Sequence, residues 1–173
     1  HAFNTLFYAT NKDTRAKIVD YDKFFYPLDG ILRWNRMYGK KGFIQYQATF
    51  PFSERAGLVQ MLEHLAQAKC ASFLVVLKCF GEAGSGMLSY PMPGYTLALD
   101  IPNRPGLEEF TRELDRILLD HGGRLYLAKD ALTAPETFAA MYPNLDAFRE
   151  MRRSLDPENV LRSTMSRRLH LDK

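Results

Sequence analysis

The chain has 173 residues, 46% of them hydrophobic and 25% charged, with 23 Lys and Arg against 20 Asp and Glu for a net charge of +3. That balance excludes a disordered or collagen-like polypeptide, and no apolar run approaches the ~18–20 residues that cross a bilayer. The mixed charges leave no basic stripe for nucleic acid, and residues 1–20 lack the charged-then-apolar pattern of a secretory signal, so a soluble, cytoplasmic domain is expected.

The first 20 residues have no clear period, and the sequence begins with His1, so a piece of a longer polypeptide is expected. From Gly42 the pattern sharpens. Residues 43–50 alternate, with Ile44, Tyr46, Ala48 and Phe50 on one face and Gln45, Gln47 and Thr49 on the other, which predicts a strand buried on one side. Ser53 can cap a helix over 54–69 whose stripe is Leu58, Leu62, Leu65 and Ala66. Residues 72–80 (SFLVVLKCF) read as a second strand and 95–101 as a third. Pro105 starts a helix with Leu107, Phe110, Leu114, Ile117 and Leu118 on one side, Gly122 and Gly123 stop it, and 124–127 is a short fourth strand.

The order is β-α-β-β-α-β, two halves of about 40 residues each, which predicts an α+β fold: a ferredoxin-like antiparallel sheet with both helices on one face. A short helical segment follows. Thr133-Ala134-Pro135-Glu136 reads as a capping box, and Asp156-Pro157 opens a last helix through Ser166. The second face of the sheet has no helices of its own, so its cover must come from elsewhere, and function is expected there.

Period-two spacing puts Gln45 and Gln47 on that face, with Thr96, Ala98 and Asp100 from the third strand. Lys78 is a cation inside an apolar strand, so it either reaches water at a strand end or meets an anion. Neutral amides, a hydroxyl and one cation suit a hydroxylated anionic ligand such as a sugar phosphate; the same residues also fit the plain solvated side of a half-buried sheet. Lys129, just after the last strand, could stabilise developing negative charge, or pair with Asp130 as an ordinary surface lysine.

The usual catalytic constellations are absent. His1, His64, His121 and His170 have no metal spacing or serine partner, so no metal is expected, and Gly81, Gly84 and Gly86 lack the dinucleotide-binding pattern. Cys70 and Cys79 flank the apolar second strand and read as small buried hydrophobes.

Five segments carry a family resemblance: FFYPLDGILRWNRMYGKKGFIQYQATFP (24–51), FLVVLKCFG (73–81), LSYPMPGYTLALDIP (88–102), GGRLYLAKD (122–130) and TFAAMYPNLDAFREMRRSLDPENVLRSTMSRRL (137–169). Together they resemble the C-terminal part of the decaprenylphosphoryl-β-D-ribose oxidases, flavoproteins of the vanillyl-alcohol-oxidase and aldonolactone-oxidase superfamily. The resemblance implies that residues 1–123 are the C-terminal part of a substrate-binding cap domain and 124–173 the returning segment of an FAD-binding domain. The N-terminal FAD domain is then absent from this chain, and FAD is not expected to bind it alone.

The resemblance further implies Gln45, Gln47, Lys78, Trp34 and Thr96 as substrate contacts, Tyr126 and Lys129 as cofactor contacts, and Lys129 as the catalytic cation. Relatives carry a cysteine where Ala98 stands and an asparagine at Thr96. The implied activity is FAD-dependent oxidation of a secondary alcohol of a sugar, 2′-oxidation of a polyprenylphosphoryl-ribose or oxidation of an aldonolactone or alditol. A reductase completing epimerisation is an implied partner. In the tail Arg149, Arg152, Arg153, Arg162, Arg167, Arg168 and Lys173 outnumber Glu150, Asp156, Glu158 and Asp172, which allows peripheral contact with an anionic membrane. The alternative is a stand-alone, non-catalytic ferredoxin-like domain that binds a small molecule.

Overall fold

The computed structural model of the chain describes residues 2–10, 16, 18–26, 29, 30, 32–70, 72 and 74–172. They fall into two units, His1–Arg36 and Met37–Lys173.

The first unit holds α1, Ala2–Thr10, and α2, Tyr21–Phe25. The Thr10 hydroxyl donates to the Leu6 and Phe7 carbonyls at 2.9 and 3.1 Å, and the Asp20 carboxylate caps α2 by accepting from the Asp22 amide at 3.0 Å. Leu6, Phe7 and Tyr8 are all exposed, so among the described side chains of α1 no buried stripe imposes a period on the sequence. Trp34 opens a 3-10 turn, Trp34–Tyr38. Its side chain and His1 lie outside the described residues.

The second unit builds the expected α+β architecture. Its elements are β1, Phe43–Pro51; α3, Arg55–Gln67; β2, Val75–Phe80; β3, Gly94–Pro102; α4, Leu107–Asp120; and β4, Arg124–Leu125. The sheet runs β2-β3-β1-β4 with every pair antiparallel, the order of the ferredoxin-like unit. The helical tail follows as α5, Pro135–Met141; α6, Leu145–Leu155; and α7, Thr164–Arg168.

The β1–β3 register sets Tyr46 opposite Leu99 and Ala48 opposite Leu97 on the helix side, where Leu58, Met61, Phe110, Leu114 and Leu118 close over them. The tail adds Phe138, Met141, Tyr142, Leu145 and Leu169 to this one core. At the end of the ladder Gly94 is obligatory, since a Cβ there would sit 2.1 Å from the Phe50 carbonyl oxygen.

Several local expectations change for identifiable reasons. Ser53 does not cap α3; Phe52–Glu54 forms a 3-10 turn, and Met61 rather than Leu62 is buried. His121 sets that rotation, because it bonds Glu54 at 2.8 Å and Gln60 at 3.0 Å and packs on Gly57, where a Cβ would meet its ring at 2.5 Å. β2 begins at Val75 rather than Ser72; before it the Ser72 hydroxyl donates to the Leu74 carbonyl and shares the Asp100 amide with that carbonyl.

β4 stops at Leu125, and Leu127–Lys129 turns into a 3-10 helix. Thr133 does not cap α5, since its hydroxyl is drawn to Asp115 at 2.5 Å. Asp156 ends α6 instead of opening a helix; its carboxylate accepts from the Val160 and Leu161 amides, which hold its pKa below the usual value. The last helix is capped by a reciprocal Ser163–Ser166 box.

Cys70 is half-buried, but Cys79 is exposed, against the expectation for both. The reason is that β2 is an edge strand beyond the cover of α3 and α4, so its helix-side Val75 and Leu77 are also exposed. Among the described residues no helix is long and apolar enough to cross a membrane.

Candidate functional site

The second face of the sheet is built from β1, β3, β2 and β4. Gln45 lies directly opposite Asp100, Gln47 opposite Ala98 and Thr49 opposite both Thr96 and Arg124, while Lys78 pairs with Thr96 across β2. Directly paired residues share a face, so strand geometry alone gathers these groups.

Hydrogen bonds then fix them. The Gln45 amide donates to Asp100 Oδ1 at 3.1 Å, and the Tyr38 hydroxyl donates to Asp100 Oδ2 at 2.6 Å. Tyr38 stacks on Phe43 with ring centroids 4.0 Å apart, and burial and then the Asp100 carboxylate push its pKa upward. One step along β1, the Gln47 amide donates to Thr96 Oγ1 at 3.1 Å. The Tyr90 hydroxyl lies 2.7 Å from Thr96 Oγ1 and accepts from Thr49 Oγ1 at 2.7 Å. Burial raises the Tyr90 pKa, while Thr49, Thr96 and Gln47 each act to lower it.

Tyr90 comes from the connection between β2 and β3, so cover for this face arises inside the chain. Its ring stacks on Tyr126 at 4.5 Å and meets Phe80 edge-on at 5.6 Å. The Tyr126 amide donates to the Gln47 carbonyl at 2.8 Å, which anchors Tyr126 beside β1. Arg124 reaches the Ser89 carbonyl with Nη1 and lies over the Tyr142 ring, and its buried Nε has no hydrogen-bond partner among the described residues.

Lys129 lies at the border of this face. Asp130 does not pair with it: the Asp130 carboxylate, 2% exposed, accepts from Arg168 at 2.5 Å and from the Leu132 and Thr133 amides. Lys129 and Gln45 line one crevice with Tyr46, Asp115 and Thr133, of about 10 Å³, the room of a single water. Behind it Asp115 is buried and accepts from Tyr46 at 2.8 Å and from Thr133.

Of the residues singled out in the sequence, Gln45, Gln47, Thr96, Lys78 and Tyr126 meet on one face, and Lys129 shares with Gln45 a crevice that Tyr46, Asp115 and Asp130 also line. Gln47 and Thr96 are 5% and 1% exposed, so they lie beneath the surface, whereas Lys78 is exposed. Trp34 belongs to the first unit. Sequence reasoning missed Tyr38, Thr49, Tyr90 and Arg124 and gave Asp100 no role. Only Asp100 and Thr49 carried a signal, a polar residue at an alternating position.

No group of three or more His, Cys, Asp or Glu side chains that could hold a metal occurs among the described residues. The tail arginines are mostly engaged within the unit: Arg149 with Asp146 and the His170 carbonyl, Arg152 with Asp156 and Asn159, and Arg168 with Asp130. Lys173 lies outside the described residues.

The region from β3 to α7, which holds Asp100, Tyr126, Lys129 and Arg168, carries a family signature. Residues 98–169 match the D-arabinono-1,4-lactone oxidase family. The match starts within β3 at Ala98 and leaves Gln45, Gln47, Lys78 and Thr96 outside it. Over nearly its whole length, family segment included, the chain is 43% identical over 166 residues to decaprenylphosphoryl-beta-D-ribose oxidase of Mycolicibacterium smegmatis, covering 96% of the chain and 36% of that protein. It is 38% identical over 132 residues to an uncharacterized protein in the mprA 5′ region of Streptomyces coelicolor, covering 76% of the chain and 36% of the relative. The chain thus spans about a third of the length of these curated relatives, and the resemblance read from the sequence holds along nearly all of it.

Proposed function

We propose that the full-length protein is an FAD-dependent oxidoreductase that oxidises a secondary alcohol of a sugar, and that this chain is its C-terminal, substrate-binding portion. The preferred reaction is 2′-oxidation of a polyprenylphosphoryl-ribose, with aldonolactone or alditol oxidation as the nearest variant. Residues 1–123 then belong to the cap over the substrate and 124–173 to the returning segment of the FAD domain. The reading is supported by the 43% identity to a ribose oxidase and by the lactone-oxidase segment.

The residues fit such a cofactor. Tyr126 offers a flat stacked surface with Tyr90. Arg124 has a buried donor with no acceptor among the described residues, and Lys129 has no ion pair among them. FAD, when bound, supplies the two-electron acceptor that side chains lack. This chain contributes orientation and charge. Gln45 and Gln47 hold sugar hydroxyls, exposed Lys78 meets the phosphate, and Lys129 sets a positive charge where negative charge gathers as the hydride leaves the sugar carbon. FAD is not expected to bind this chain alone. The protein acts in the cytoplasm with at most peripheral membrane contact, and a reductase finishes the epimerisation.

Lys129 is the observation that carries the reading, because its neighbour Asp130 is engaged by Arg168 and Lys129 has no ion pair among the described residues, which leaves a cation for another anion. In the full-length protein Lys129→Ala should slow reduction of bound FAD by a prenylphosphoryl-ribose about 10²–10³-fold in anaerobic stopped flow. Reduction at the wild-type rate would remove Lys129 from the mechanism.

A further inference from the structure

Asp100 is 1% exposed, yet it decides what its neighbour shows to a ligand. A carboxylate only accepts hydrogen bonds, so the Gln45 carboxamide must turn its NH₂ toward Asp100, as the 3.1 Å bond has it. Tyr38 holds the other carboxylate oxygen at 2.6 Å and keeps Asp100 from turning. The Gln45 carbonyl oxygen is thereby left pointing away from Asp100, and no hydrogen bond to it occurs among the described residues.

Gln47 is held differently: its NH₂ donates to the Thr96 hydroxyl, which can both donate and accept, and at 5% exposure it lies beneath the surface.

We propose that Asp100 is a positioning residue that locks Gln45 with its carbonyl toward the substrate, so that this part of the site accepts hydrogen bonds and selects a sugar that offers hydroxyl donors there. The proposal rests on the sugar-oxidase reading and adds the polarity of the contact to it. A hydroxyl can donate to such a carbonyl, whereas a fluorine of similar size cannot. A site built to pair with a donor leaves its carbonyl unpaired against the fluoro analogue.

The test uses the full-length FAD-loaded protein with a short prenylphosphoryl-ribose and its 3-deoxy-3-fluoro and 5-deoxy-5-fluoro analogues as competitive inhibitors. Inhibition constants are read because fluorine next to the reacting carbon alters the chemical step itself. The wild type should bind at least one fluoro analogue about 10–100-fold more weakly than the parent sugar. Asp100→Asn, which frees Gln45 to turn either end outward, should shrink that ratio to below about 3-fold with kcat changed less than KM. Gln45→Met, which leaves the Tyr38–Asp100 bond in place, should do the same and decides the matter where the Asp100 variant does not fold. A wild type that binds both fluoro analogues as well as the sugar, or variants that keep the full ratio, overturns the proposal and leaves the oxidase reading standing. Failure of the parent sugar to reduce bound FAD overturns both.

Discussion

Two buried carboxylates, Asp100 on β3 and Asp115 on α4, lie on opposite sides of the sheet and are served alike. Each accepts a tyrosine hydroxyl, Tyr38 at 2.6 Å for Asp100 and Tyr46 at 2.8 Å for Asp115. Their second partners differ. Asp115 takes Thr133, a residue of the segment leading to the tail, and closes a knot that ties that segment to the core. Asp100 takes Gln45, whose other end remains available at the sheet face. The same chemical motif fastens the backbone in one place and orients a side chain in the other; the difference is whether the last member of the chain of bonds is itself enclosed.

The largest effect that separates the two sides is in stability. Arg168→Ala leaves the Asp130 carboxylate, 2% exposed, without its cation next to the Asp115 knot, and should cost about 3 kcal/mol, read from urea unfolding of the full-length protein. A loss under about 1 kcal/mol would mean that the two backbone amides satisfy Asp130 by themselves. The paired variants Tyr46→Phe and Tyr38→Phe come next, each removing one donor from a buried carboxylate at about 1–3 kcal/mol. Only Tyr38→Phe should also weaken binding of the prenylphosphoryl-ribose, by several-fold. If Tyr46→Phe weakens it equally, the two clusters are not separate in function.

The smallest effect is a change of slope. Burial raises the pKa of Asp115 above its ordinary 3.8, although Thr133 and Tyr46 act to lower it. The folded protein therefore holds this proton more tightly than the unfolded chain. The stability it contributes is fully present below 3.8 and is lost as pH rises through the raised value. Asp115→Asn should flatten that decline, visible as urea midpoints that depend less on pH above 3.8. An unchanged slope would assign the decline to other groups.

The central strands were readable in the sequence because β1 and β3 are each buried on one face by helices, so alternation records their register nearly residue by residue. The same alternation placed Gln45, Gln47 and Thr96 together. It could not show Tyr90, which arrives from a connection with no period, or Tyr38, which precedes the first strand. Nor could it tell that Asp100 governs Gln45, since a pattern of polar positions says which face a residue takes and nothing of who donates to whom. Thr133 and Asp156 were misread for a related reason: both are good caps by type, but the nearest orphaned groups were a carboxylate for Thr133 and the amides of Val160 and Leu161 for Asp156. Local preference yields to whichever unsatisfied partner the tertiary fold brings closest.

The edge of the sheet bears on how the chain behaves in solution. β2 shows one row of backbone donors and acceptors to water, and Val75 and Leu77 stand exposed beside them. Such a border is a template onto which an extended strand of another molecule can zip. Lys78, the one charged residue of β2, breaks that border with a cation that two stacked copies would bring face to face. Replacing Lys78 with an apolar residue should therefore lower the concentration at which the chain begins to clump, as read by light scattering.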